Sequence, residues 1–209
     1  MSRWYLCAVA VGLAVSAIPA SGDVILMAGS VFAAPGSTGN TIEVDLINTG
    51  LSPIDVAAFE FQIGVDPTSG IDLTGAESST FALYIFAGSS VDDSIPAPLN
   101  LTTGSSLLAS DSTSLFATGV TVSAGQTVGL GLVTFDVSPA AALGPVDVLF
   151  STDPAFTDLS SPSGDSIPID SFMNGSIEVG DVAPEPSTAA MLLAALMGLG
   201  AWRLRRLAG

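Results

Sequence analysis

The chain has 209 residues, with 20 acidic side chains against four basic ones, no histidine and a formal net charge of −16. All four basic residues are arginines near the two ends (Arg3, Arg203, Arg205 and Arg206), and every acidic residue except Glu185 lies between positions 23 and 183. With nothing in that middle region to neutralise phosphate, nucleic-acid binding is excluded, as is charge-driven adhesion to anionic lipid or anionic polysaccharide. Such a surface stays soluble, repels its own kind and attracts divalent cations or basic partners.

The first 22 residues have the order of an export signal. Arg3 supplies a positive charge, Trp4 to Ala17 an apolar stretch, and Ala20-Ser21-Gly22 a small-residue cleavage site before Asp23. The single cysteine, Cys7, sits inside the apolar stretch and leaves with the signal. The exported part is therefore expected to hold together without disulfides, by packing alone or by bound ions.

From 23 to 180 the pattern predicts one domain of short strands. Thr41 to Asn48 sets Ile42, Val44 and Leu46 against Thr41, Glu43 and Asp45. Val56 to Val65 puts Ala57, Phe59, Phe61, Ile63 and Val65 on one face, with Glu60 and Gln62 on the other. Val128 to Val137, then Val146, Val148 and Phe150, repeat the alternation, and Gly175 to Val179 makes a last strand. Period two with turn residues between the runs argues for antiparallel sheets with one buried face, hence a β-sandwich. Pro139 to Leu143 is expected as a single helical turn, and Asp92–Gly104 and Thr152–Pro168 as loops. No internal repeat is evident.

The end of the chain, 181–209, reads as an address. Pro184-Glu185-Pro186-Ser187-Thr188 leads into an uncharged apolar run to Trp202, closed by Arg203, Arg205 and Arg206. As a helix, the 15 residues from Thr188 to Trp202 span roughly 22 Å, short of a ~30 Å hydrocarbon core. Snorkelling arginines ease the shortfall and hold the C-terminus on the cytoplasmic side, so 188–202 is expected to be a transmembrane anchor helix.

The tripeptide, span and basic end, in this order, resemble the PEP-CTERM sorting signal of Gram-negative bacteria. That resemblance implies that Pro184, Glu185 and Pro186 are the motif recognised and cut by an exosortase, a membrane-bound cysteine transpeptidase. Arg203, Arg205 and Arg206 would be the stop-transfer end. It also implies anchoring in the inner membrane in transit, then release to the cell surface or extracellular matrix.

The domain carries a second resemblance. Ala34-Pro35-Gly36 with Thr41 to Leu46 and Asn48, Ala57 to Ile63 running into Val65-Asp66-Pro67, Gly131 to Val137, and Asn174 to Ile177 together look like cohesin-like domains. The family fold is a nine-stranded jelly-roll sandwich with a flat face that binds dockerin modules. The tyrosine common before Asp-Pro in that family is Val65 here, so only the fold carries over, without the dockerin partner or binding residues. The expected fold class is thus all-β, a cohesin-like jelly-roll β-sandwich flanked by a signal peptide and a hydrophobic anchor helix.

Chemistry is constrained by absence. Without histidine, lysine or a mature thiol there is no ordinary base for a serine triad, no Schiff-base lysine and no His/Cys zinc site. Asp72-Leu73-Thr74-Gly75 lacks the spacing of an aspartic-protease turn. An enzyme is not expected; a carboxylate-based glycoside hydrolase is the remote alternative and requires two acids facing across a cleft. No cofactor is assigned. Ca²⁺ is the one chemical possibility, through Asp153, Asp158, Asp165 and Asp170 around one loop, or Asp66 and Asp72 flanking a turn, although neither group has EF-hand spacing. Turn formation and surface solvation is the blander reading of these acids.

The expected function is that of an exported, non-catalytic surface or extracellular-matrix protein processed by an exosortase. The alternative is a secreted recognition module that binds a protein or carbohydrate through the sandwich. Candidate partners are therefore the exosortase and an extracellular polysaccharide or surface protein. Tyr84, Phe86 and Phe116 discriminate: one shared solvent face favours glycan binding, and burial favours a structural role.

Overall fold

The computed structural model describes residues 24–78, 83–91, 104–115 and 117–181. The expected signal peptide, most of the expected loop 92–104, the expected sorting motif (Pro184, Glu185, Pro186), the apolar run 188–202, the expected stop-transfer arginines (Arg203, Arg205, Arg206) and Phe116 lie outside these residues. The described residues form thirteen strands and no helix. None of them builds a helix long and apolar enough to cross a membrane.

The first sheet contains β1 (Val24–Ala28), β3 (Asn40–Asn48), β6 (Ile71–Glu77), β9 (Thr127–Val137) and β12 (Ser171–Met173), in the order β12-β1-β3-β9-β6. The second contains β2 (Ser30–Ala33), β5 (Ala58–Gly64), β7 (Ser106–Ser112), β10 (Gly144–Phe150), β11 (Asp158–Ser160) and β13 (Gly175–Val179). Here β7 takes the whole of one edge of β5, while β10 and β11 pair with successive parts of β5 and lead through β13 to β2. A short ribbon of β4 (Ile54–Val56) and β8 (Val120–Val122) stands beside them.

Alternation builds the core. Ile42, Val44 and Leu46 of β3 face Phe59, Phe61 and Ile63 of β5 across the interior, with Val133 and Phe135 of β9 and Val148 of β10; each is at most 3% exposed. Each fully buried large apolar side chain contributes about 1.5–3 kcal/mol, so these two inward faces dominate stability. Asn48 ends the β3 pattern as a buried polar staple. Its Nδ2 donates to the carbonyls of Ser52 (2.9 Å) and Val122 (3.0 Å), and its Oδ1 accepts from the Gly50 N–H (3.1 Å), tying β3 to the ribbon.

One long edge closes through the backbone. The chain passes from β1 to β2 at Gly29 and from β12 to β13 at Asn174, changing sheets both times. β12 lies parallel to β1, and β13 parallel to β2. Gly175 permits the crossing: a Cβ there would sit 2.0 Å from the Gly29 carbonyl oxygen. The opposite edge is bridged by residues 83–91. This segment hydrogen-bonds to Gly129 of β9 at one end and to Ser112 of β7 at the other, and drops Phe86 into the core.

Several expectations change. The run 56–65 is not one strand, because Ala57 is where the chain leaves the ribbon and enters the second sheet; its N–H goes to Ser160 and its carbonyl takes the Thr113 N–H. The expected helical turn at 139–143 is a β-turn closed by Ala141 N–H to Ser138 O (3.0 Å), with Pro139 presetting the bend. The expected loop 152–168 contains β11, because Leu159 is fully buried opposite Phe59.

Candidate functional site

The outer surface of the second sheet is set by the alternation of β5. Inward Phe59, Phe61 and Ile63 force Ala58, Glu60, Gln62 and Gly64 outward on β5. Register then places Ser112, Ser110, Leu108 and Ser106 of β7 beside them, and Asp158 and Leu149 on the other flank. Farther out, Asp147 stands opposite Ser176 and Pro145 opposite Glu178, while Phe32 of β2 flanks Glu178. The face is therefore rich in serine and carboxylate, with apolar islands at Leu149 (50% exposed) and Phe32 (53% exposed).

Residues 151–157 leave this sheet and return to it. Both feet are fixed on Gln62, whose carbonyl accepts the Ser151 N–H (2.8 Å) and whose N–H reaches the Thr157 Oγ1 (3.2 Å). Asp153 caps the excursion by accepting the Ala155 N–H (2.9 Å). Two shallow grooves flank it. One, of about 830 Å³, runs past Gln62, Asp66, Pro145, Asp147 and Leu149; the other, of about 380 Å³, runs past Glu60, Ser110, Pro154 and Asp158. Thr68 donates to Asp66 Oδ1 through its hydroxyl and its N–H (2.7 Å each), which holds that carboxyl below its ordinary range.

Among the described residues, no group of three acidic side chains converges. The proposed calcium acids are instead bonded one by one: Asp158 accepts the Ser166 hydroxyl, Asp165 the Ser163 hydroxyl (2.7 Å), and Asp170 the Val24 N–H (2.9 Å). Asp66 closes its own turn, and Asp72 sits opposite Asp136 on the first sheet. The opposed carboxylate pairs, Glu60–Asp158 and Asp72–Asp136, stand side by side as cross-strand neighbours on outer faces.

Of the three aromatic candidates, the two among the described residues, Tyr84 and Phe86, do not form a solvent-exposed platform. Phe86 is fully buried and stacked on Phe59 (centroids 5.6 Å apart, planes at 18°), and Tyr84 meets Phe86 edge-on at 6.3 Å. The Tyr84 hydroxyl donates to Asp111, which also takes the Ser90 hydroxyl (2.8 Å) and the Ser112 N–H (2.6 Å). Burial, then the hydrogen bond and charge of Asp111, push the Tyr84 phenol above its ordinary value, so it acts as a fixed donor. Sequence reasoning did not single out Asp111; its only signal was an acid in an otherwise small and apolar run.

No family model matches the sequence, and no curated protein matches it. Solved structures do. The solution structure of CaCohA2 from Clostridium acetobutylicum is 19% identical, with a TM-score of 0.55 over 78% of this chain and 95% of that one. The third ScaC cohesin of Acetivibrio cellulolyticus, solved with a ScaB dockerin, gives 0.57 at 16% identity over 76% and 99%. A non-cellulosomal cohesin from the archaeon Archaeoglobus fulgidus gives 0.52 at 12% over 76% and 92%. The fold is a cohesin-like β-sandwich. At these identities the likeness is one of architecture, and the cohesin-like sheets here carry their own side chains.

Proposed function

We propose that this chain is an exported, non-catalytic recognition module whose cohesin-like sandwich binds a protein partner through the outer face of its second sheet. The carrying observation is that face itself: acidic, serine-rich and marked by exposed Leu149 and Phe32, with no basic side chain between 23 and 183 to pair its carboxylates. Solved cohesins in complex with dockerins support a protein as the ligand class. Charge complementarity favours a partner with a basic surface around an apolar contact. Burial of Phe86 and engagement of Tyr84 withdraw those two rings from any carbohydrate contact.

The terminal segments supply delivery in this reading. Residues 1–22 direct export, 188–202 hold the chain in the inner membrane, and Pro184, Glu185 and Pro186 mark it for an exosortase. Mass spectrometry of the protein from hosts with and without the exosortase tests delivery: an intact C-terminus in both overturns it. The face is tested by recovering bound proteins from the host's extracellular fraction with wild type, Leu149→Arg and Glu60→Arg. A partner lost from both variants supports the assignment, and one retained by both places binding elsewhere.

A further inference from the structure

The outer face of the first sheet differs from its counterpart. Asp45 projects there from β3, on the side opposite the inward Val44 and Leu46, yet it is only 9% exposed and its Oδ1 is buried without a hydrogen-bond partner. Of its two cross-strand neighbours, Gly129 has no side chain and Met27 is a thioether, which itself pairs with Met173 (49% exposed). One step along the same face, Ile47 pairs with Ile25. By register the side chains flanking Asp45 across the strands are apolar, and burial pushes its carboxyl above its ordinary value. Glu43, two residues away on the same face, adds a second acid.

A buried carboxylate oxygen without a donor is costly, and short of protonation a cation or a strong donor relieves it. Residues 23–183 contain no lysine, arginine or histidine to do so. No group of three acids is present among the described residues to hold a metal ion. A guanidinium matches better, since it delivers several donors in a plane and tolerates apolar contact along its stem. Methionine is unbranched and adaptable, so Met27 and Met173 are movable covers for such an entry.

We propose that Asp45 and its methionine-isoleucine surround form a second binding site, which receives an arginine side chain from an apolar-flanked segment of a partner protein. The site lies on the sheet opposite the face assigned above, so the sandwich presents two independent surfaces.

The test uses the full chain and a synthetic nonapeptide with one central arginine among leucine and alanine, beside a twin carrying citrulline, which is neutral and nearly isosteric. Wild type is expected to bind the arginine peptide at least tenfold more tightly than its twin, and Asp45→Asn is expected to erase that difference. Carbon-13 NMR of the Asp45 carboxyl in the native chain is independent of how the variant folds, and its titration midpoint should fall when the arginine peptide is added. Equal binding of the two peptides, no binding, or an unmoved midpoint overturns the proposal. Binding that emerges only after Arg203, Arg205 and Arg206 are replaced by glutamine assigns the site to the chain's own tail and also overturns it.

Discussion

Along one long edge of the sandwich, β1 runs into β2 and β12 into β13, and the pairs are zipped by backbone bonds in both sheets. Along the other, residues 83–91 span from β9 to β7 on a few backbone contacts, the Phe86 ring and the carboxylate of Asp111. The first edge depends on how closely two backbones approach, with Val24, Leu26, Ile177 and Val179 sending their side chains into the shared core. The second depends on a handful of side chains, each replaceable. One fold thus closes its two sides by different physics, and the side-chain edge is the one expected to open first.

Substitution separates the two. Gly175→Ala drives a Cβ into the Gly29 carbonyl and is expected to cost more than ~4 kcal/mol, seen as loss of the folded baseline in urea titration. Phe86→Ala empties a fully buried ring site against Phe59 and should cost about 3–5 kcal/mol, with amide exchange accelerated in 83–91 before β1 and β13. Equal acceleration at both edges would erase the distinction. Asp111→Ala removes the acceptor for Tyr84, Ser90 and the Ser112 N–H, at about 2 kcal/mol, and should again loosen only the 83–91 edge.

The smallest effect has the opposite sign. Asp45 is raised above 3.8 by burial, so the native state holds its proton more tightly than the unfolded chain. The resulting penalty is absent below pH 3.8 and grows as pH rises through the raised folded value. Asp45→Asn is expected to stabilise the protein by about 1 kcal/mol at neutral pH, with the gain vanishing in acid. A gain that does not depend on pH would assign it to packing instead.

Alternation alone gave the inward faces of β3, β5 and β9, because a residue period of two needs no tertiary information. It did not mark β1 and β2. There Val24 to Ala28 reads as one apolar run and Gly29 hides the change of sheet. β11 was lost in an expected loop because Leu159 is its one buried residue, too short a pattern to register. At the assigned face, Glu60 and Gln62 were legible as outward, whereas Ser110, Asp147 and Asp158 join them only through register. Asp45 read as solvated, one more polar residue in an alternating strand. Its burial is a matter of tertiary neighbours such as Met27, which register sets opposite it from 18 positions away.

The backbone-closed edge also sets how the protein meets force. In the delivery proposed above, a module tethered at one end and gripped elsewhere would be pulled along its chain. Residues 24–33 and 171–179 run side by side in the same direction. Tension that draws Val24 one way and Val179 the other loads their hydrogen bonds lengthwise, in shear, so the bonds share the load and must fail together. An antiparallel hairpin pulled from its open end would unzip one bond at a time. The crossing that Gly175 permits therefore makes the first and last strands of the sandwich a mechanical clamp.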